Sequence, residues 1–234
     1  MTLQIRTSER TPHAPTRARF AVEAATLVLA AAVYFGVRVI IEGSAASGDR
    51  NADRILRFED SLNIDIEHTM QDLAVEQDLL RWLGNFSYVW LHWPLLIVAL
   101  LVVFFRNTER YVQLRNSLLV SGAVGLVVFW LFPVSPPRFM PGFVGTVSPE
   151  ARRHFLDFPV SWSNQYAAFP SFHVGWTLIA CLAVAATCRT RAARYAVMAP
   201  AVLVAFSVVT TGNHYVVDAA TGALIAVGAY AWFG

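Results

Sequence analysis

Six apolar stretches, each near the length that crosses about 30 Å of hydrocarbon, constrain this chain more than any other feature. They run from Phe20 to Ile41, Phe86 to Phe105, Ser117 to Pro133, Phe172 to Cys188, Tyr195 to Thr211 and His214 to Phe233, the third and fifth being short. A bilayer interior offers no water to backbone N–H and C=O groups, so segments of this kind must be helices. Composition agrees: 56% of the 234 residues are hydrophobic and only 15% charged, with a mean hydropathy of +0.49. The expected fold is therefore all-α, a polytopic bundle of six transmembrane helices. Residues 1–19 are expected to form a flexible basic leader, and residues 20–234 a single integral membrane domain. The first stretch follows that leader as a signal peptide would, but it lacks a small-residue cleavage site in a polar flank and continues through Arg38 to Ile41, so it reads as an uncleaved helix.

Arginine sets the orientation. No lysine occurs, and ten of the eighteen arginines fall on one side of a six-span path: four before the first span, then Arg106, Arg110 and Arg115, then Arg189, Arg191 and Arg194. Short arginine-rich loops stay in the cytoplasm, so both termini are expected inside. The segments Glu42 to Asn85 and Val134 to Ser171 then face outward. The first mixes acids with Ile55, Leu56, Phe58, Leu62 and Ile66, a pattern of one or two amphipathic helices that cover the bundle or lie on the bilayer. A net charge of +2 is too small to indicate nucleic-acid binding. Cys181 and Cys188 lie two helical turns apart, too far to bridge, and read as packing residues. The sequence leaves homo-oligomerisation open.

Two histidines stand out against this background. Pro170 and Ser171 form a helix start, which puts His173 in the first turn of the fourth span. Gly212 and Asn213 act likewise before the sixth, which is expected to carry His214 in its first turn. One span separates the two helices, so both enter from the same side and both imidazoles lie at one depth. Asp218, four residues beyond His214, falls on the same helical face. A carboxylate there requires a partner, and His214 Nδ1 is the simplest: the contact would fix the tautomer and leave Nε2 basic. The start of the fourth span also suits an anion. Backbone N–H groups at Ser171, Phe172 and His173, the Ser171 hydroxyl and the helix dipole favour phosphate oxygens. Arg138, in the same outer segment, could clamp them bidentately, with Arg152 or Arg153 as further cations. Phosphoryl transfer fits this set.

The strings "NQYAAFPSFHVGW" and "TGNHYVVDAATG", with "FPVSPPRF" before them, resemble the signatures of the type 2 phosphatidic acid phosphatase (PAP2) superfamily. The likeness runs from about Phe132 to Phe233 and is nearest to the branch holding inositol phosphorylceramide synthases and bacterial membrane proteins. It implies a bacterial plasma-membrane enzyme whose site faces outward and whose substrate is a lipid phosphate or phosphodiester. His214 would be a nucleophile forming phosphohistidine, Asp218 its orienting partner and His173 the acid that protonates the leaving group. Ser171 would help hold phosphate, and no metal or other cofactor is implied. The sequence departs from the pattern at two cations: Leu131 stands where lysine is usual and Val208 where arginine is usual, while Phe139 replaces a proline. Whether water or an alcohol is the acceptor stays open. Two other readings use the same residues. His173, His214 and Asp218 amount to a zinc-like donor set, or the chain is a lipid-binding relative without catalysis.

Among the other polar and aromatic residues, His13, His68, His92 and His154 read as structural or solvated. Asn164, Gln165 and Tyr166 are placed to shape an acceptor pocket. Trp82, Tyr88, Trp90, Trp93, Trp162, Tyr230 and Trp232 read as interface anchors or packing residues. Gly122 with Gly125, and Gly222 with Gly228, read as sites of close helix packing.

Overall fold

The computed structural model describes residues 16–148 and 164–234. Within them the chain is helical and no strand is formed: α1 spans Arg17–Ile40, α2 Ala45–Leu62, α3 Glu67–Glu76, α4 Asp78–Phe86, α5 His92–Arg106, α6 Thr108–Leu131, α7 Phe172–Thr187, α8 Arg191–Thr210 and α9 Val216–Trp232. A π-helical turn, Ser87–Leu91, joins α4 to α5 in one apolar rod, Asp78–Arg106. Among the described residues four helices are long and apolar enough to cross a membrane: α1, this rod, α6 and α8. That number and their composition make this an integral membrane protein. Helices α7 and α9 are apolar but shorter, with 16 and 17 residues. The balance of lengths thus differs from the hydropathy reading, because α6 and α8 recruit arginine-bearing turns at their N-termini. Asn107 and Thr190 accept from Arg110 N and Ala193 N and so cap those turns. In the same way Thr16 caps α1, so helix begins inside the stretch expected to be leader.

Helix α7 is the hub, packing against α5, α6, α8 and α9. Ile179, Ala180 and Ala183 of α7 join Leu96, Ala99 and Val103 of α5 and Ala226 of α9 in a continuous buried core. Its closest approach is to α9, through two glycines. A Cβ on Gly175 would lie 2.3 Å from the Gly222 carbonyl oxygen, and one on Gly222 would lie 2.0 Å from the Ser171 carbonyl oxygen. Backbone meets backbone there, and Ser171 N donates to Asp218 O at 2.9 Å. Gly228, expected to act with Gly222, has open space around it.

Helix α1 is the opposite case, with no buried residue. Polar and aromatic contacts hold it near its ends. Glu23 accepts from Arg115 Nη1 at 2.7 Å and from the Tyr111 hydroxyl at 3.1 Å; nearer its other end, Tyr34 leans on Trp176 at 5.3 Å between ring centroids.

Helices α2 and α3 realise the expected amphipathic segment, but two of its acids point inward. Glu59 and Glu67 are fully buried and accept from the first turn of α9, Glu67 Oε1 from Val216 N and Glu59 Oε1 from Val217 N, both at 2.7 Å. Asp218 Oδ2 takes Tyr215 N at 3.0 Å. Three carboxyl groups therefore complete the helix start, where donors are unsatisfied and the dipole is positive.

Two outcomes follow. Gly222→Val should force α7 from α9 and cost at least about 1–3 kcal/mol, seen as a lower melting temperature in detergent, whereas Gly228→Ala should melt like the wild type. Burial, aided by the charges of Glu67 and Asp218 and opposed by the Val217 N–H, pushes the Glu59 carboxyl up to about 9 from its ordinary 4.5. The folded protein thus keeps a proton that the unfolded chain gives up. This group's contribution to stability is complete below about 4.5 and declines as pH rises toward about 9. Glu59→Gln retains the acceptor for Val217 N but cannot ionise, so its melting temperature should fall less than the wild type's between neutral pH and pH 9.

Candidate functional site

The chain between α6 and α7 builds the floor of the site from both of its described ends. Val134 N donates to Tyr166 O at 2.7 Å, and Ala168 N to Val134 O at 3.3 Å. This clamp lays the proline-rich turn, with Arg138, beside the approach to α7. Arg138 N then bonds Gly212 O at 2.9 Å, and Arg138 Nη1 donates to Asn213 Oδ1 at 2.5 Å. Gly212 has a φ of +68°, a conformation that glycine adopts without strain, and it turns the chain so that Asn213 N and His214 N both return to Val208 O.

That turn corrects one expectation. His214 does not lie in the first turn of α9; it precedes the helix, whose cap is Tyr215. Bonding both N–H groups back to α8 keeps residues 213 and 214 out of the next helix. Asp218 consequently serves first as the N-terminal acceptor for Tyr215. Its Oδ2 lies 3.4 Å from His214 Nδ1, while the nearer partner of Nδ1 is the Ala168 carbonyl at 2.7 Å. A carbonyl can only accept, so Nδ1 carries the proton and Nε2 is left with its lone pair.

His173, in the first turn of α7, has its ring centroid 5.8 Å from that of His214. The two imidazoles are neighbours, as the order of spans implied. Tyr88 stacks on His173 at 4.7 Å and His92 lies at 4.8 Å, with His92 Nδ1 2.8 Å from Thr177 Oγ1. Tyr88, expected as an interface anchor or packing residue, and His92, expected as structural or solvated, thus also form a wall of the cavity, which the sequence reading did not anticipate. The available signal was a polar pair four residues apart inside an apolar span, which is costly without a role.

Both histidines line a cavity of about 90 Å³ that Arg38, Arg138, Asn164, Gln165 and Asn213 also reach. Ser171 Oγ is buried without a hydrogen-bond partner, and no side chain caps α7. The two helix starts at the site therefore differ. On α9 three carboxyl groups occupy the N–H donors; on α7, among the described residues, no carboxyl accepts from the first-turn donors. An anion in the cavity would be met by α7, the Ser171 hydroxyl and arginine. The Phe172 side chain itself packs away against Phe129 and Trp176, with ring centroids at 6.1 and 5.2 Å, so it could contribute to an anion only through its backbone. Tyr166 lies against Gly48, where a Cβ would come within 2.8 Å of its ring. Arg152, Arg153, His154 and Trp162, like His13, fall outside the described residues. The zinc-like set does not come together: among the described residues no group of three or more His, Cys, Asp and Glu side chains is arranged to hold a metal ion.

Comparison with curated proteins and with solved structures returns no match. The sequence does match the PAP2 superfamily over residues 53–232, a stretch holding both histidines, Arg138, Ser171 and Asp218. That span is more than three quarters of the chain, and the protein belongs to the PAP2 superfamily.

Proposed function

We propose that this protein is a membrane enzyme that hydrolyses or transfers the phosphoryl group of a lipid phosphoester through a phosphohistidine on His214. The observation carrying this reading is the pair of imidazoles 5.8 Å apart on one cavity with Arg138, next to an unpartnered serine hydroxyl. Superfamily membership supports phosphatase-type chemistry on a phosphoric ester.

In this scheme His214 Nε2 attacks phosphorus. A P–N bond forms, the P–O bond to the lipid alcohol breaks, and His173, entering protonated, gives its proton to the departing oxygen. Neutral His173 then takes a proton from the acceptor, whose oxygen attacks phosphorus and breaks the P–N bond. Water as acceptor completes hydrolysis; an alcohol completes transfer. The Ala168 carbonyl holds the His214 tautomer throughout, and Asp218 stabilises the positive imidazole. Arg138, Ser171 and the Phe172 and His173 N–H groups carry the negative oxygens.

An apolar groove supports a lipid substrate. It holds about 610 Å³ between α1, α5 and α6, lined by such residues as Leu27, Leu100 and Ala123. Tyr34, Phe35, Trp93 and Trp176 line both this groove and the histidine cavity, so the two spaces adjoin. A phosphoester head would lie among the histidines with a hydrocarbon tail in the groove. The arginine distribution supports a site on the extracytoplasmic face of a six-span bundle with both termini in the cytoplasm, and the resemblance noted from the sequence supports a bacterial plasma membrane.

His214→Ala should abolish turnover of a lipid phosphate and the acid-labile ³²P-labelled intermediate while leaving the protein folded. Activity kept by this variant overturns the scheme. His173→Ala should slow turnover by roughly 10²–10⁴-fold. Ala123→Phe, which fills the groove, should raise KM for a long-chain lipid phosphate and leave a short soluble phosphomonoester unaffected; equal effects on both would remove the groove from substrate binding.

A further inference from the structure

Arg38 lies in the last turn of α1, in a span read from sequence as no more than apolar. Its side chain reaches the same cavity as His173, His214 and Arg138. Phe129 supports the guanidinium, whose carbon lies 5.6 Å from the ring centroid. The Arg38 carbonyl is fastened by Asn164 Nδ2 at 3.0 Å, so the backbone of this turn is tied to the segment that leads into α7. Two observations point to a missing partner. Arg38 Nε is buried with no hydrogen-bond acceptor, and among the described residues no carboxylate forms an ion pair with this arginine. A partly buried guanidinium loses hydration, and only an opposing charge with acceptor oxygens makes that favourable. Both imidazoles line that same cavity, so an anion held by Arg38 there also faces them.

We infer that Arg38 is the second guanidinium of the phosphate site, delivered by α1 to grip the phosphoryl oxygens together with Arg138. The assignment rests on the proposed phosphoryl chemistry and deepens it. It supplies a cation where Leu131 and Val208 provide none. Arg138 is bound to the chain just before His214, by way of Asn213 and Gly212, whereas Arg38 comes from a helix with no buried residue. One grip is thus built into the floor of the site, and the other arrives from its wall.

The test uses the full chain purified in detergent, with inorganic phosphate as probe, read by calorimetry and by protection of His214 from diethyl pyrocarbonate. Wild-type protein should bind phosphate. Arg38→Gln should weaken binding by roughly 10- to 100-fold, as expected for lost charge-assisted hydrogen bonds, and flatten its salt dependence while melting like the wild type. Arg38→Lys restores the charge without the planar fork and should recover part of the affinity. Wild-type affinity in Arg38→Gln overturns the assignment and leaves the histidine chemistry standing. A wild-type protein that neither binds phosphate nor turns over a lipid phosphate overturns the chemistry and the assignment together. If Arg38→Gln fails to fold, Arg38→Lys decides: full wild-type affinity with an ammonium overturns a bidentate role, and a several-fold loss supports it.

Discussion

The approach of α7 to α9 at Gly175 and Gly222 is the constraint on which the rest depends. Any side chain at either position would collide with a carbonyl of the other helix, so the crossing is as close as two backbones allow. It occurs one turn into α7 and two turns into α9, where residue spacing still keeps the two helix starts together. Ser171 N bonded to Asp218 O fixes the relative height of the helices. Held in this way, His173 in the first turn of α7 and His214 two residues ahead of α9 have little choice but to face one space. The imidazole pair follows from a backbone contact, not from an attraction between the rings.

The same junction separates two kinds of helix start. A free helix N-terminus attracts anions, and a site with two of them side by side could bind phosphate in two ways. Here α2 and α3 remove the ambiguity. Glu59, Glu67 and Asp218 occupy the donors of Tyr215, Val216 and Val217, so α9 is closed to a further anion. Ser171, by contrast, spends its N–H on α9 and keeps its hydroxyl unpartnered. In the proposed scheme, burying acids from α2 and α3 would thus direct an incoming anion toward α7. It would do so while Glu59 holds its proton, which keeps three negative charges from crowding one helix turn.

Sequence periodicity and helix-start signals were enough to find six apolar helices and to bring His173 and His214 together, because both inferences depend on local patterns. The partner of His214 Nδ1 was not legible. A main-chain carbonyl at Ala168 carries no mark in its side chain, whereas Asp218 offered a visible one. The roles of Glu59 and Glu67 were hidden for another reason: they bond 149 to 158 residues along the chain, and an acid on an amphipathic helix ordinarily faces water. Arg38, Tyr88 and His92 were obscured by their hydrophobic neighbours. Each is a polar interruption of an apolar span, and the energetic cost of such interruptions is a better guide to the site than the spans themselves.

Helix α1 borders both the groove and the cavity. Its side chains form one wall of the apolar groove, and its last turn presents Arg38 to the cavity, so a single element meets both the tail and the head of the proposed substrate. Its attachments lie near its ends, at Glu23 with Arg115 and Tyr111 and at Tyr34, Arg38 and Asn164, which leaves the middle of the helix lined with exposed apolar residues. A lipid approaching from the bilayer need not leave hydrocarbon to reach such a wall, because the groove offers its tail the same apolar surroundings. In the proposed scheme the phosphate head would supply the counter-charge that Arg38 lacks. Binding energy from the head would tighten the end of α1 against α7, and tail contacts would hold the rest of α1. This coupling requires a helix that is not buried, since a fully packed α1 would leave no groove to fill.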